Sequence, residues 1–343
     1  MGKIELDHTG SGSGITLSSD GTSLLLGGTA IGGGGGDPDL YADNYDGSST
    51  KPNASGSNSV ALGKSAVSGG GSSIAFGALS SSAGNLSSAI GFNAAVGSSG
   101  AYAAAIGQAY ANGQDSFAAA IATNSSSYGA SGSNSIAMGY LGKATSPYST
   151  VSGGNSNVAS GYHATVVGGS SNLADNIGST VLGGRYGTTR GIRGAAIFGG
   201  YGNQITATQG TSQSGLYILA EQTTDATATD LKTDNQSSSS TANQIVLPNG
   251  GAYAFTGTIV GREAASSGTE CAAWKVEGLI RREANAGSTV LVNSSTTVLN
   301  NAPSWGMALS ANTSLGCLKI EVTGAAKTIR WVATIQTTEL TYA

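Results

Sequence analysis

The sequence predicts an all-β chain in which a rod of stacked repeats is followed by an antiparallel β-sandwich, and three observations carry that reading. Between Ser59 and Gly199 one phrase returns ten times: a small residue, an apolar-Ala/Val-apolar triplet, then Gly, with the closing residues 14 to 17 positions apart. Gly supplies 55 of 343 residues and charged residues only 10%, where about a quarter is typical. All three Trp residues, Trp274, Trp305 and Trp331, fall in the last third, where apolar and polar residues alternate. A helical hairpin repeat needs more than about 30 residues, so the short period holds two short strands and two turns. The middle of the chain is one unit stacked on copies of itself.

The elements follow in order. Lys3 to Leu6, Ile15 to Leu17 and Leu24 to Leu26 read as short strands. Each buries little alone and is expected to pair with something else. Gly32 to Gly36 is a hinge or a close backbone approach. Asp37 to Ser57 is acidic and loop-like, with Pro38 and Pro52. Residues 1–35 thus form an N-terminal segment and residues 36–57 a linker or first coil.

The phrase reads Ser59-Val60-Ala61-Leu62-Gly63, then Ser73-Ile74-Ala75-Phe76-Gly77, with a weaker copy ending at Ile121-Ala122 and the last four ending at Gly153, Gly168, Gly183 and Gly199. Taken as a strand, it puts Val60 and Leu62 on one face and Ala61 on the other. The Leu62 column reads Leu62, Phe76, Ile90, Ile106, Ile121, Met138, Ser152, Val167, Leu182 and Phe198. The Ala61 column is Ala in six copies, then Val151, Val166, Val181 and Ile197. Both faces ask for cover. A coil of about 15 residues supplies only one, so the second is expected to meet another copy of the chain. Weaker runs such as Lys64 to Gly69 and Ser156 to Gly161 read as return strands. From Gly153 the corner becomes Gly-Gly, so the coil geometry is expected to change near residue 145. Residues 58–205 are therefore the repeat region.

Glu221 to Ala242 is polar, a linker or a strand with a long loop. From Gln244 the alternation is strong. Ile329, Trp331, Ala333 and Ile335 share a face, as do Trp274, Val276, Gly278 and Ile280, and Leu318, Ile320 and Val322. Six to eight strands are expected here. Residues 206–343 thus read as an independent sandwich with its own core.

The net charge of -4 comes from few charges of either sign, which argues against nucleic-acid binding. The N-terminus has no apolar h-region and no run of 18 apolar residues exists, so neither a signal peptide nor a membrane helix is expected. Cys271 and Cys317 either pair or stay as buried free thiols, the latter favoured.

Asn58-Ser59-Val60-Ala61-Leu62-Gly63 and Asn134-Ser135-Ile136-Ala137-Met138-Gly139 resemble the head repeats of trimeric autotransporter adhesins, the YadA-like head. The resemblance covers about 145 residues and implies a homotrimeric, left-handed parallel β-roll of about ten coils that acts in attachment. The later form, Ser149-Thr150-Val151-Ser152-Gly153-Gly154-Asn155-Ser156-Asn157, resembles the version found in phage fibre proteins. A cell-surface member needs an export signal and a membrane-anchor barrel, which this sequence does not show. Gly2 to Ile31 is similar to N-terminal segments of marine phage structural proteins. Leu247-Pro248-Asn249 through Trp331-Val332-Ala333-Thr334 is similar to a domain that closes phage tail-fibre-like proteins.

Few residues offer chemistry. Polysaccharide hydrolysis asks for two carboxylates about 5 to 10 Å apart. In the repeat region the acids are Asp115 and Asp175, four repeats apart. Glu263, Glu270, Glu277 and Glu283 are able to meet, though Glu277, between Lys275 and Leu279, reads as a solvated strand face. Leu62-Gly63-Lys64-Ser65 echoes a phosphate loop but has Asn58 where that loop needs Gly. His8 and His163 are far apart, so no metal site and no cofactor are expected. Arg185, Arg190 and Arg193 form a small basic group, a solvated loop or a contact for an acidic surface. Trp305 follows a turn and suits either a core or a stacked sugar. Arg190 and Trp305 are the receptor-binding candidates. The sequence therefore points to a homotrimeric phage fibre, attached to other virion proteins through residues 1–35 and contacting a host-surface glycan or protein through its C-terminal region, by binding without catalysis. A bacterial adhesin passenger, a capsid or tail decoration and a depolymerase are the alternatives.

Overall fold

The computed structural model describes residues 50–122, 126–201, 208–234, 236, 238–264, 268–300 and 304–342, and the backbone of four short N-terminal strands. His8 and Gly32 to Gly36 lie outside the described residues. The N-terminal strands Ile4–Leu6, Ile15–Ser19, Leu24–Leu26 and Thr29–Ile31 pair with one another as an antiparallel meander. They therefore supply their own partners.

The repeat region is a parallel β-solenoid of about ten turns, and no α-helix occurs among the described residues. Ten phrase strands stack in register from Val60–Leu62 to Ala196–Tyr201. Nine return strands, Asn53–Ala54 to Leu173–Ala174, form a second parallel sheet. The Ala61 column faces the return sheet and is fully buried from Ala75 to Ile197. The small side of the phrase is thus the inside of the coil, and the bulky side is the one left outward. The weak fifth copy is also corrected. Phe117–Ala119 occupies the rung, with Ala118 paired to Ala105 and Ala137, so Ala119 holds the position expected for Ile121. Ile121 is buried beyond the strand.

Polar side chains inside the coil satisfy its corners. The phrase Ser donates to the carbonyl three residues back: Ser59 to Gly56 at 2.7 Å, Ser73 to Gly70 at 2.6 Å and Ser149 to Ser146 at 2.6 Å. Seven of the ten phrases open on Ser, whose hydroxyl adds a bond to a corner carbonyl that in several coils also accepts the backbone amide. Past residue 145 the corner does change. Asn172 donates to Gly168 and Gly184 and accepts from the Gly187 amide, and Asn157 does the same one coil earlier toward Gly153, Gly169 and Asn172. A short extra ladder, Tyr140 to Asn155 to Ser170 to Arg185, accompanies it.

Among its described residues the C-terminal region has nine strands, and it does not stand alone. Ser212–Thr223 pairs antiparallel with Ala196–Tyr201, so the phrase sheet runs on through Ile329–Thr341, Gly251–Glu263 and Cys271–Arg282 to Val290–Asn300. Cys317–Thr323 is the middle of a small second sheet with Gly306–Asn312, Thr229–Asp230 and Ile245–Val246. Between the sheets, Trp331 packs against Trp274 at 5.9 Å and Trp305 at 5.4 Å between ring centroids. The three faces expected inward are buried, but their core is continuous with that of the solenoid.

Gly70 packs directly on the next coil: a Cβ there would collide with the Gly84 carbonyl, whereas one on Gly71 would meet only the Asn85 side chain at 3.5 Å. Gly70→Ala is expected to cost about 1–3 kcal/mol through forced displacement of a packed coil. Gly71→Ala should leave the denaturation midpoint nearly unchanged. Equal midpoints for the two variants would contradict the stacking.

Candidate functional site

The outward face of the phrase sheet carries twenty side chains, two per rung from Val60 and Leu62 to Ala196 and Phe198, and none is charged. Phe76 is 51% exposed and Phe198 53%. The face continues past the solenoid through Ile218, Val332, Val260 and Leu279, each exposed on its own strand of the same sheet. The solenoid part of this face is uncharged and mostly apolar, broken by Ser88, Thr150, Ser152, Thr165 and Thr180, while its continuation also carries Arg330, Arg262, Lys275, Glu277 and Arg281. Exposed apolar patches of this kind mark interaction sites.

The structure relocates most of the predicted site residues. Trp305 is buried and packs in the Trp core, so its ring is not presented to a sugar. The basic group is not a solvated loop. Arg185 lies over the Tyr186 ring at 4.9 Å, Arg193 pairs with Asp234, and Arg190 donates to the Gly210 carbonyl at 2.5 Å and to Thr341 Oγ1 at 3.2 Å. Glu277 is exposed as expected, and Glu283 pairs with Arg281 on the surface. Glu263 and Glu270 do meet. Lys327 Nζ lies 3.2 Å from Glu263 Oε1 and 3.0 Å from Glu270 Oε2. Hydrogen bonds to Glu270 and Glu263 hold the Lys327 pKa above the ordinary lysine value. Cys271 and Cys317 are unpaired; Cys271 is exposed, while burial pushes the Cys317 thiol up to about 12.

Arg190 belongs to a centre the sequence did not reveal, where the last solenoid corner meets the C-terminal sheet. Glu339 is fully buried there. Its Oε1 accepts from Tyr217 Oη and Thr337 Oγ1, both at 2.7 Å, and its Oε2 accepts from Gln213 Nε2 at 2.8 Å, with Arg190 Nε at 3.5 Å. Gln213 also bonds both the amide and the carbonyl of Thr188. Burial, then the Glu339 charge, raises the hydroxyl pKa of Tyr217 and Tyr253 well above the ordinary value. The partners come from residues 188 to 341, so no local motif announces them.

Two surface features also escaped the sequence. A groove of about 520 Å³ lies beside Gly194, just ahead of the last rung, with Ile218, Ala220 and Val332 among its lining and Glu221, Lys232, Asp234 and Arg330 as its charged groups. Its charges are already engaged: Lys232 pairs with Glu221, Asp234 with Arg193, and Arg330 donates to Gln222. On the rod, the 15-residue spacing stacks Tyr148 on His163 at 4.9 Å between centroids, with Tyr162 edge-on to both. All three are exposed. Signals existed for this cluster in the repeat register alone.

Glu339→Ala would leave Arg190 and three hydrogen-bond donors facing a buried void, with an expected loss of about 3–5 kcal/mol in denaturant unfolding. The tyrosines set a pH dependence of definite sign. Their folded pKa lies above the unfolded value, so the unfolded chain releases protons first. Stability is then complete below about pH 10 and falls as pH rises through the folded pKa. Tyr217→Phe should flatten that alkaline decline in midpoint-versus-pH curves. An unchanged slope would contradict the assignment.

No family model matches the chain, and no curated protein does. Among solved structures, it aligns with tailspike protein gp49 from Acinetobacter baumannii bacteriophage Fri1, a capsular polysaccharide depolymerase, at 10% identity over 87% of this chain and 43% of that one, with a TM-score of 0.24. It also aligns with the Acinetobacter baumannii phage AM24 tailspike protein at 9% identity over 88% of this chain and 52% of that one, with a TM-score of 0.20. The chain spans about half the length or less of these tailspikes. The expectation of binding without catalysis is corrected on this comparison, since the first of the two proteins is an enzyme. At these TM-scores neither alignment fixes the fold or activity of this chain.

Proposed function

We propose that the chain is a fibre protein of a bacteriophage virion, homotrimeric through the outward face of its long sheet, with a left-handed β-roll of the YadA-head kind as its shaft. Residues 1–35 attach it to other virion proteins, and the C-terminal region contacts a host-surface glycan or protein. The carrying observation is the uncharged outward face, twenty solenoid side chains in ten aligned rungs that repeat closely enough to pack against identical copies. Three copies present three equal contact sites, so weak contacts add by avidity. Besides the C-terminal region, the exposed Tyr148, Tyr162 and His163 cluster on the rod is a further place where such contacts are available.

A second reading, cleavage of host polysaccharide, is favoured by the convergence of Glu263 and Glu270 on Lys327, since paired carboxylates serve glycoside hydrolysis as acid and base.

One experiment addresses attachment. Antibody against this chain, viewed by electron microscopy on intact particles, is expected to mark an external tail appendage, and purified protein added in excess should reduce adsorption to host cells. Label on the capsid with undiminished adsorption would support a decoration instead, and absence from particles would favour a bacterial surface protein. Shortening of purified host polysaccharide, abolished by Glu263→Gln or Glu270→Gln with the fold intact, would establish the second reading.

A further inference from the structure

The last strand of the long sheet, Val290–Asn300, is open in two directions. One edge pairs with Cys271–Arg282, and the other carries no strand among the described residues. Leu291 is half-buried and the other ten residues are exposed. Side chains on both faces are open. Val298 pairs with the core residue Trp274 and so lies on the core side of the sheet, yet it is 53% exposed; Leu299 is 58% exposed. The strand reads VLVNSSTTVLN, with no charge and no Pro. At about 3.3 Å per residue its free edge is about 36 Å of backbone donors and acceptors.

Proteins that stay single blunt such an edge with Lys, Pro, an inward charge or a short strand. None of these four is present; two bulges, at Val292 and Leu299, are the strand's only irregularities, and the rest of the edge is regular. The edge also terminates the sheet whose outward face is the assembly surface proposed above, so copies that meet on that face bring this strand beside a neighbour. The nearest outward charges on the adjoining strand, Lys275, Glu277 and Arg281, carry both signs, which suits contact with an identical surface. The strand and whatever seats it are different surfaces of the chain. The contact is therefore heterologous, and a threefold rotation closes it into a ring.

We propose that Val290–Asn300 is an interchain element whose free edge and core side are covered by a second copy of this chain. The inference rests on the homotrimer reading and is tested apart from it. Residue-resolved hydrogen exchange on the full-length protein, with its mass measured in the same buffer, reads the strand directly. An isolated edge strand protects alternate amides only, those bonded to Cys271–Arg282. Slow exchange at every amide from Asn293 to Val298, between the bulges at Val292 and Leu299, is the expected result. Alternate fast and slow amides in an assembled trimer would overturn this proposal and leave the trimer standing, whereas a single chain in solution would overturn both. The double variant Val298→Lys and Leu299→Lys adds an independent arm. Both side chains are more than half exposed in one chain, so the fold tolerates the change. The trimer is expected to dissociate at concentrations where the unsubstituted protein stays assembled, and an unchanged dissociation would overturn the proposal.

Discussion

The two sheets of the solenoid enclose an interior lined mostly by small side chains, and that spacing governs the molecule. Ala, Ser and Val line the inside from Ala61 to Val181, with Ile197 at the final rung. Such residues withdraw little apolar surface from water, while ordering each residue of backbone costs about 1–2 kcal/mol. The coil therefore relies on complete hydrogen bonding, through its ladders, the phrase serines and the stacked Asn157 and Asn172. The bulky half of the phrase has no room inside. It stands outward as a Phe, Ile, Leu or Val on every rung except Thr150–Ser152, and the proposed association with identical surfaces would complete its burial.

Much of this was legible in the sequence because the repeat is its own alignment. Ten copies fixed the strand, the alternation and the change of corner near residue 145. What the pattern did not fix was direction. Small and bulky columns alternate equally well whichever points inward, and only the narrow interior decides between them. The fifth copy failed for a related reason. Ile121 resembles its column by type, but rung-to-rung pairing places Ala119 there. At the C-terminal end, alternation identified the faces of Trp274, Leu318 and Trp331, yet gave no sign that the sheet was continuous with the solenoid, because that depends on one pairing between Ala196–Tyr201 and Ser212–Thr223.

The sites follow the same division. Carboxylates near one another in sequence, Glu263 and Glu270, were foreseeable as a pair and do meet. The buried Glu339 centre was not, since its partners are separated by up to 151 positions. It ties the last solenoid corner to the terminal strand and gives Arg190 a structural duty in place of the receptor contact expected of it. Trp305 moves likewise from candidate ligand platform to core. The open position for ligand contact is the aromatic stack on the rod, a product of stacking.

The central claim is that the uncharged outward face is buried between copies of the chain. Light scattering on the purified full-length protein tests it most directly. The account predicts a particle of three times 33.5 kDa that keeps its mass on dilution. A compact, soluble species of 33.5 kDa with the solenoid intact would contradict it.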